Sequence, residues 1–227
     1  VVVTTDGRSQ RAAWARDLLV APWARGQGVG SKLIATAVDA TGLLLLGGLN
    51  PEVRRLYRRL GYRNHGSIPF YVMPLRRDAL VALLRIPRAL RPLAAAALRV
   101  AGARLPARRR EPSVSVSSLE RFDERFDRWW STVEGSFQTV VRRTSQIMNW
   151  RYRGHPTHRY RMFAAWKGDE LRGVAVTRLG TSRGLPAGFL VELLAHPRDG
   201  ETLDDLVAVA RADLSEAVPR PAFLRCN

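Results

Sequence analysis

Three glycines stand at alternate positions, Gly26, Gly28 and Gly30, with Arg25 at the head of the run and Gln27, Val29 and Ser31 interleaved and following. An apolar stretch of Leu18, Leu19 and Val20 leads in through Pro22, and Leu33, Ile34, Ala37 and Val38 follow at helical spacing. Strand, glycine turn and helix in this order leave the first N–H groups of the helix without intrahelical partners, with the positive end of the helix dipole beside them. Glycine lets that backbone approach an oxygen with no Cβ in the way, and Arg25 adds a full positive charge. The chemistry this suits is the cradling of a pyrophosphate. The run does not match the dinucleotide pattern GxGxxG, and no Gly-Lys-Ser/Thr closes it as in a P-loop.

A second set follows after a short apolar run, Leu43 to Leu46, of buried-strand length. Asn50 precedes Pro51, a pairing that reads as an N-cap and the first helical position. Val53, Leu56, Tyr57 and Leu60 recur at helical spacing, and Gly61 followed by Tyr62 closes the segment.

Taken together, Arg25-x-x-Gly28-x-Gly30 and then Asn50, Tyr57 and Gly61-Tyr62 resemble the GNAT (Gcn5-related) N-acetyltransferase family. The resemblance is specific for residues 17 to 62. It implies an acyl-CoA, most simply acetyl-CoA, held by the backbone of Arg25, Gly26, Gln27, Gly28, Val29, Gly30 and Ser31. It also implies that the backbone of Leu19 and Val20 pairs with the pantetheine arm and that Asn50 touches the same arm. Tyr57 matches the tyrosine that serves as general acid, since a phenol donates a proton while staying neutral at pH 7. A core-packing role for Tyr57 stands beside that reading. Asp17, where many family members carry an acid, is the candidate base; a strand-entry charge, or deprotonation of the amine through ordered water, are the alternatives.

The elements that must position these groups read as follows. Val1 to Thr4 is β-branched, Asp6-Gly7 is a turn signal, and Arg11 to Val20 reads as the next strand. The helix after the turn runs from about Gly28 to Ala40. A β-rich stretch from Gly66 to Leu75 is interrupted by Pro69. The opening residues read as the middle of a sheet, so a first lobe over 1–76 is expected to be N-terminally truncated.

From Arg76 to Arg110 the composition changes to leucine, alanine and arginine, with Asp78 the single acid and Pro87, Pro92 and Pro106 breaking it into short helical pieces. This stretch, 77–112, reads as a helical linker, with peripheral contact to an anionic membrane as the sharper alternative. Nucleic acid is disfavoured, because no aromatic residue interleaves these arginines.

Beyond it, Ser117 and Glu120 form a capping-box pattern ahead of Phe122, Phe126, Trp129 and Val133. Arg159 to Trp166, Leu171 to Arg178 and Ala187 to Ala195 read as strands, Glu201 to Ala217 as a helix and Ala222 to Arg225 as a last strand. That order repeats the family's, so 113–227 reads as a second GNAT-like lobe, similar to bacterial tandem-GNAT proteins. Its corresponding turn, His196 to Glu201, holds one glycine and two acids, which would repel a pyrophosphate. Asn149-Trp150-Arg151-Tyr152 stands out with no assigned role.

The fold class expected is α+β (mixed α/β), two lobes with mostly antiparallel sheets flanked by helices. At 227 residues the chain can bury such cores, and no apolar run reaches a membrane span. The one cysteine, Cys226, rules out an internal disulfide, and His65, His155, His158 and His196 lack metal spacing, so no metal is expected. A net charge of +17, nearly all arginine, favours anionic ligands. The function expected is transfer of an acetyl group to a small-molecule amine or amino sugar, with a protein amine as rival acceptor, in the cytoplasm or peripherally at the inner face of the membrane. A non-catalytic GNAT-scaffold binding module is the competing class.

Overall fold

The computed structural model describes residues 1–15, 18–47, 50–64, 66, 68–76, 79, 86–90, 92–93, 96 and 111–226. Asp17, His65 and most of the arginine-rich stretch 77–110 lie outside the described residues. The chain forms two compact units, Val1–Ser67 with Glu134–Arg142, and Ile68–Val133 with Arg143–Asn227.

In the first unit, β1 (Val2–Thr5) and β2 (Arg8–Arg11) form an antiparallel hairpin. Its turn places Asp6 at φ 48° and Gly7 at φ 75°, the left-handed pair that a tight hairpin demands. On its other edge β1 pairs with a strand far along the chain, β7 (Thr139–Val141), with Val3 opposite Val141. Thr4 is buried there, donating to the Glu134 carboxylate, which also accepts from Arg142 Nε at 3.1 Å.

The expected strand from Arg11 to Val20 is divided. At the buried Ala12 the chain changes partners: the Ala12 N–H donates to Val1 O, and the Ala13 N–H donates to Leu43 O. β3 (Ala13–Ala15) then runs parallel to β4 (Leu44–Leu46), and residues 18–20 are not strand. The crossover between them is α1 (Val29–Thr41), which makes a β-α-β unit, and Gly42 ends the helix in the left-handed conformation. α2 (Pro51–Arg59) follows, with Glu52 in its first turn and Arg58 and Arg59 in its last, as the helix dipole favours. Ile34, Leu44 and Tyr57 form the buried centre of this unit, with Leu18, Val38, Val53 and Leu56 packed around them.

The second unit is built on a six-stranded sheet. β5 (Tyr71–Pro74) is one edge and β6 (Ser115–Leu119) the other, with β8 (Tyr160–Lys167), β9 (Glu170–Ser182), β10 (Leu185–Ala195) and β11 (Phe223–Cys226) between them in the order β5-β11-β10-β9-β8-β6. All neighbours are antiparallel except β10 and β11, which are parallel. The helix Gly200–Glu216 crosses between those two and buries Leu206, Ala210 and Leu214 against Ala175, Leu190 and Leu224.

Two expectations are corrected here. A lobe boundary at residue 76 would leave Tyr71–Pro74 in the first lobe; instead β5 pairs with β11, while residues 134–142 return to the first unit. The capping-box segment is not a helix start. Val116 and Leu119 are half-buried while Ser115, Ser117 and Ser118 are exposed, and the segment pairs with β8 as a sheet edge. The helix begins later, at Glu124–Val133, with Phe126, Trp129, Trp130 and Val133 buried on it. Phe122 precedes that helix and packs edge-on against Phe126 at 4.9 Å. Among the described residues no helix is long and apolar enough to cross a membrane, and no group of three metal-ligating side chains occurs.

Candidate functional site

The glycine turn is organised as a helix start with nothing of its own to fill it. Gly28 is the N-cap of α1 at φ 76°, and no side chain caps the helix. The first intrahelical bond is Lys32 N–H to Gly28 O, so the N–H groups of Val29, Gly30 and Ser31 have no acceptor within the helix. Gly26 has φ 80°, and a Cβ built at Gly26 or Gly28 would meet no atom within 4 Å, so the space in front of both is open. The left-handed conformation is what requires glycine at these positions.

Two side chains brace the turn from within. Arg25 Nε donates to Val20 O at 3.1 Å, and Gln27 Nε2 donates to Trp23 O at 2.9 Å. The first bond engages the Val20 carbonyl and one of the five guanidinium donors, so Arg25 is anchored at its inner nitrogen while the side chain is exposed. Residues 25 to 28 are exposed, Val29 to Ser31 half-buried and Leu19 exposed, so the structure places the whole predicted cradle at the surface as one contiguous feature. Its backbone geometry and charge suit a pyrophosphate-bearing ligand.

Asn50 caps α2: its Oδ1 accepts the Val53 N–H at 2.8 Å. On α2, Tyr57 is 3% exposed, in the cluster that also contains Leu18, the neighbour of Leu19. The Tyr57 and Tyr62 rings meet edge to face at 5.0 Å. Burial, with Tyr62 beside it, pushes the Tyr57 phenol above its ordinary value, so it keeps its proton at neutral pH. Among the described residues the buried Tyr62 hydroxyl has no hydrogen-bond partner. Asp17 lies outside the described residues.

The second unit repeats the parallel crossover but fills its helix start. Asp199 is the N-cap of Gly200–Glu216; its Oδ1 accepts the Thr202 N–H at 3.1 Å. Its Oδ2 accepts from the Thr202 hydroxyl at 2.9 Å and from Arg172 at 3.0 Å. Burial pushes this carboxyl up, but the Thr202 and Arg172 donors outweigh it and hold the group below the usual carboxylate range. A carboxylate of the chain itself therefore sits at this helix end.

Sequence reasoning missed one buried cluster. Glu192, 7% exposed on β10 beside a bulge, accepts from Arg143 at 2.9 Å, lies 3.7 Å from Arg151, and accepts the Tyr152 hydroxyl at 2.6 Å. Burial first, then the Glu192 charge and hydrogen bond, push the Tyr152 phenol far up. The signal was the Asn149-Trp150-Arg151-Tyr152 stretch, which forms a π-helical turn. Asn149 closes it by bonding both the N–H and the O of Phe122, while Trp150 is 77% exposed. The π-turn is what lets Tyr152 reach inward.

Residues 1–64 match the family model described as an acetyltransferase (GNAT) domain. No curated protein matches the chain by sequence. Among solved structures, a GCN5-related N-acetyltransferase from Anabaena variabilis superposes with TM-score 0.63 at 13% identity, over 99% of this chain and 50% of that one. A probable N-acyltransferase from Enterococcus faecalis gives 0.59 at 12% identity, over 99% and 49%. Saccharomyces cerevisiae N-myristoyltransferase with bound myristoyl-CoA gives 0.54 at 12% identity, over 100% and 58%. At these identities the likeness is one of fold, and the chain spans about half the length of the structures it matches.

Proposed function

From a GNAT acetyltransferase domain recognised over residues 1–64, in a chain with the fold of GNAT proteins, we propose an acyl-CoA-dependent N-acyltransferase that moves an acetyl group to a primary amine by direct attack. The observation that carries this reading is the start of α1, where a left-handed Gly28 cap leaves three N–H groups without helical acceptors, next in the chain to the exposed Arg25 and with open space at the Cβ positions of Gly26 and Gly28.

Acyl-CoA would bring its acyl group already activated as a thioester. The backbone of Gly26 to Ser31 and the guanidinium of Arg25 hold the pyrophosphate, and the Leu19–Val20 backbone with Asn50 aligns the arm. An N–H on the Leu19–Val20 stretch polarises the carbonyl, stabilising the negative charge that develops on its oxygen. The Tyr57 Oη holds the proton that the departing sulfur takes, and burial keeps that proton in place at neutral pH. Asp17, or an ordered water, removes the proton from the attacking amine.

The acceptor in this reading is a small-molecule amine or amino sugar, with a protein amine as the rival. The second unit serves structure or acceptor binding, because Asp199 at its helix start repels a second pyrophosphate. A cytoplasmic location, with the arginines of 77–110 against an anionic membrane, completes the proposal. Loss of salt-sensitive vesicle binding when those arginines become Gln tests that last element.

The first test is calorimetric titration of the protein with acetyl-CoA, beside Gly28→Glu. Binding in the unsubstituted protein alone supports the cradle and opens a screen of amine acceptors. Equal affinity in a folded Gly28→Glu, or no binding in either, rejects it.

A further inference from the structure

One groove of the second unit has no place in this mechanism. Its volume is about 850 Å³, within the range of small-molecule sites, and Tyr152, Arg153, His155, His158, Arg159 and Tyr160 line it. Three observations describe its chemistry. First, its charges do not cancel. Arg161 is paired with Asp213, which leaves Glu120 as the remaining acid of the lining against two guanidiniums, and among the described residues neither Arg153 nor Arg159 has a carboxylate partner. Both arginines are exposed.

Second, its rings form one connected cluster with a single stacked pair. His155 and His158 stack at 4.8 Å and 21°, and His155 meets Tyr160 edge-on at 5.5 Å. Tyr160 in turn meets Tyr152 at 5.1 Å. His158 is exposed and also meets Tyr160 edge-on, at 6.1 Å. Third, the turn that carries the histidines is held rigid. His155 Nδ1 accepts the N–H of Thr157 at 3.2 Å and of His158 at 3.1 Å, so that nitrogen carries no proton and Nε2–H is the donor this ring offers.

We infer that this groove is a binding site for a phosphorylated ligand with a flat ring, of nucleotide size. The guanidiniums of Arg153 and Arg159 take the phosphate oxygens through forked, charge-assisted bonds, and the Nε2–H of His155 adds a neutral donor. The flat ring extends the imidazole stack on His158, a contact open to any base because every base has a π-face.

The test is titration of the full chain with uridine 5′-diphosphate and, separately, with inorganic pyrophosphate. Uridine diphosphate binds the unsubstituted protein and Gly28→Glu with the same Kd, which separates this site from the acyl-CoA cradle. Arg153→Gln/Arg159→Gln, two exposed changes that leave the melting temperature in place, weakens uridine diphosphate by about a hundredfold, roughly tenfold per guanidinium, and leaves acetyl-CoA binding alone. His158→Ala weakens uridine diphosphate by about fivefold or more while pyrophosphate is unaffected. The inference is overturned if neither ligand binds at millimolar concentration, if Gly28→Glu abolishes uridine diphosphate binding, or if the double arginine variant keeps it. Pyrophosphate binding to Gly28→Glu, whose cradle is blocked, as tight as the nucleotide's removes the flat ring from the assignment.

Discussion

Two parallel crossovers, β3-α1-β4 and β10 to β11 through Gly200–Glu216, share a backbone plan and differ at the helix start, and the units that hold them differ in the setting of a buried tyrosine. In the first, Gly28 caps the helix with no side chain and Tyr57 sits in an apolar cluster. In the second, Asp199 bonds Thr202 and Arg172, and the Tyr152 hydroxyl is committed to Glu192. The first crossover leaves its donors facing outward and the second turns them on the chain itself. A helix start is an anion site only while the chain leaves it open; a carboxylate at the cap turns the same geometry into a structural bond.

The comparison can be broken or sharpened by exchanging its parts. Tyr57→Phe is expected to have the largest effect, lowering kcat for acetyl transfer by about 10²–10⁴-fold while the acetyl-CoA Kd stays within about twofold. A wild-type rate would make Tyr57 a packing residue only. Next, Gly28→Asp makes the first helix start resemble the second, placing a Cβ at φ 76° and a carboxylate at the proposed pyrophosphate position. Acetyl-CoA affinity should fall by about a hundredfold or more. Calorimetry on a variant with an unchanged circular dichroism spectrum decides it.

Asp199→Ala acts in the opposite unit and should cost about 1 kcal/mol of cap energy, seen as a fall of roughly 2–4 °C in Tm, with no change in acetyl-CoA binding. An unchanged Tm would mean that the Asp199 bonds add nothing net. The smallest effect concerns acid. Because the folded Asp199 carboxyl is held below its ordinary value of 3.8, the stability it contributes is present above that pH and is lost as pH falls through the lowered value. Asp199→Asn should flatten that part of the acid unfolding curve, and a curve identical to wild type would show that other carboxylates dominate.

Much of the fold was legible because the informative residues are neighbours. The candidate cradle, 25 to 31, is one turn, and its glycines state their own backbone requirement at Gly26 and Gly28. The α1 and α2 helices and the strands β8 to β11 carry their periodicity and their punctuation locally. The Lys167-Gly168-Asp169 turn between β8 and β9 is an instance, with Gly168 at φ 59°. What failed depends on partners distant in sequence. Nothing near Ala12 says that the strand changes sheets there, since that follows from Val1 and Leu43. Ser117 and Glu120 have the types of a capping box, but β8 offers the segment a full ladder of backbone bonds instead. Glu192 and Tyr152 meet only because a π-turn and a β-bulge bring them together, and neither has a local sequence pattern.

The pairing of Val3 with Val141 has a consequence for the order in which the protein can be made. β1 leaves the ribosome well ahead of Thr139–Val141 and meets that partner only after both edge strands of the second unit's sheet, β5 and β6, and its aromatic helix have emerged. Such a long-separation contact has to wait for loop closure and so forms late. Until then Thr139–Val141 cannot cover its edge of β1, and an uncovered strand edge is the kind on which chains associate. Co-expression of the segment Val1–Ser67 with the remainder would therefore yield a first unit whose sheet is completed in trans, by residues supplied on a separate chain.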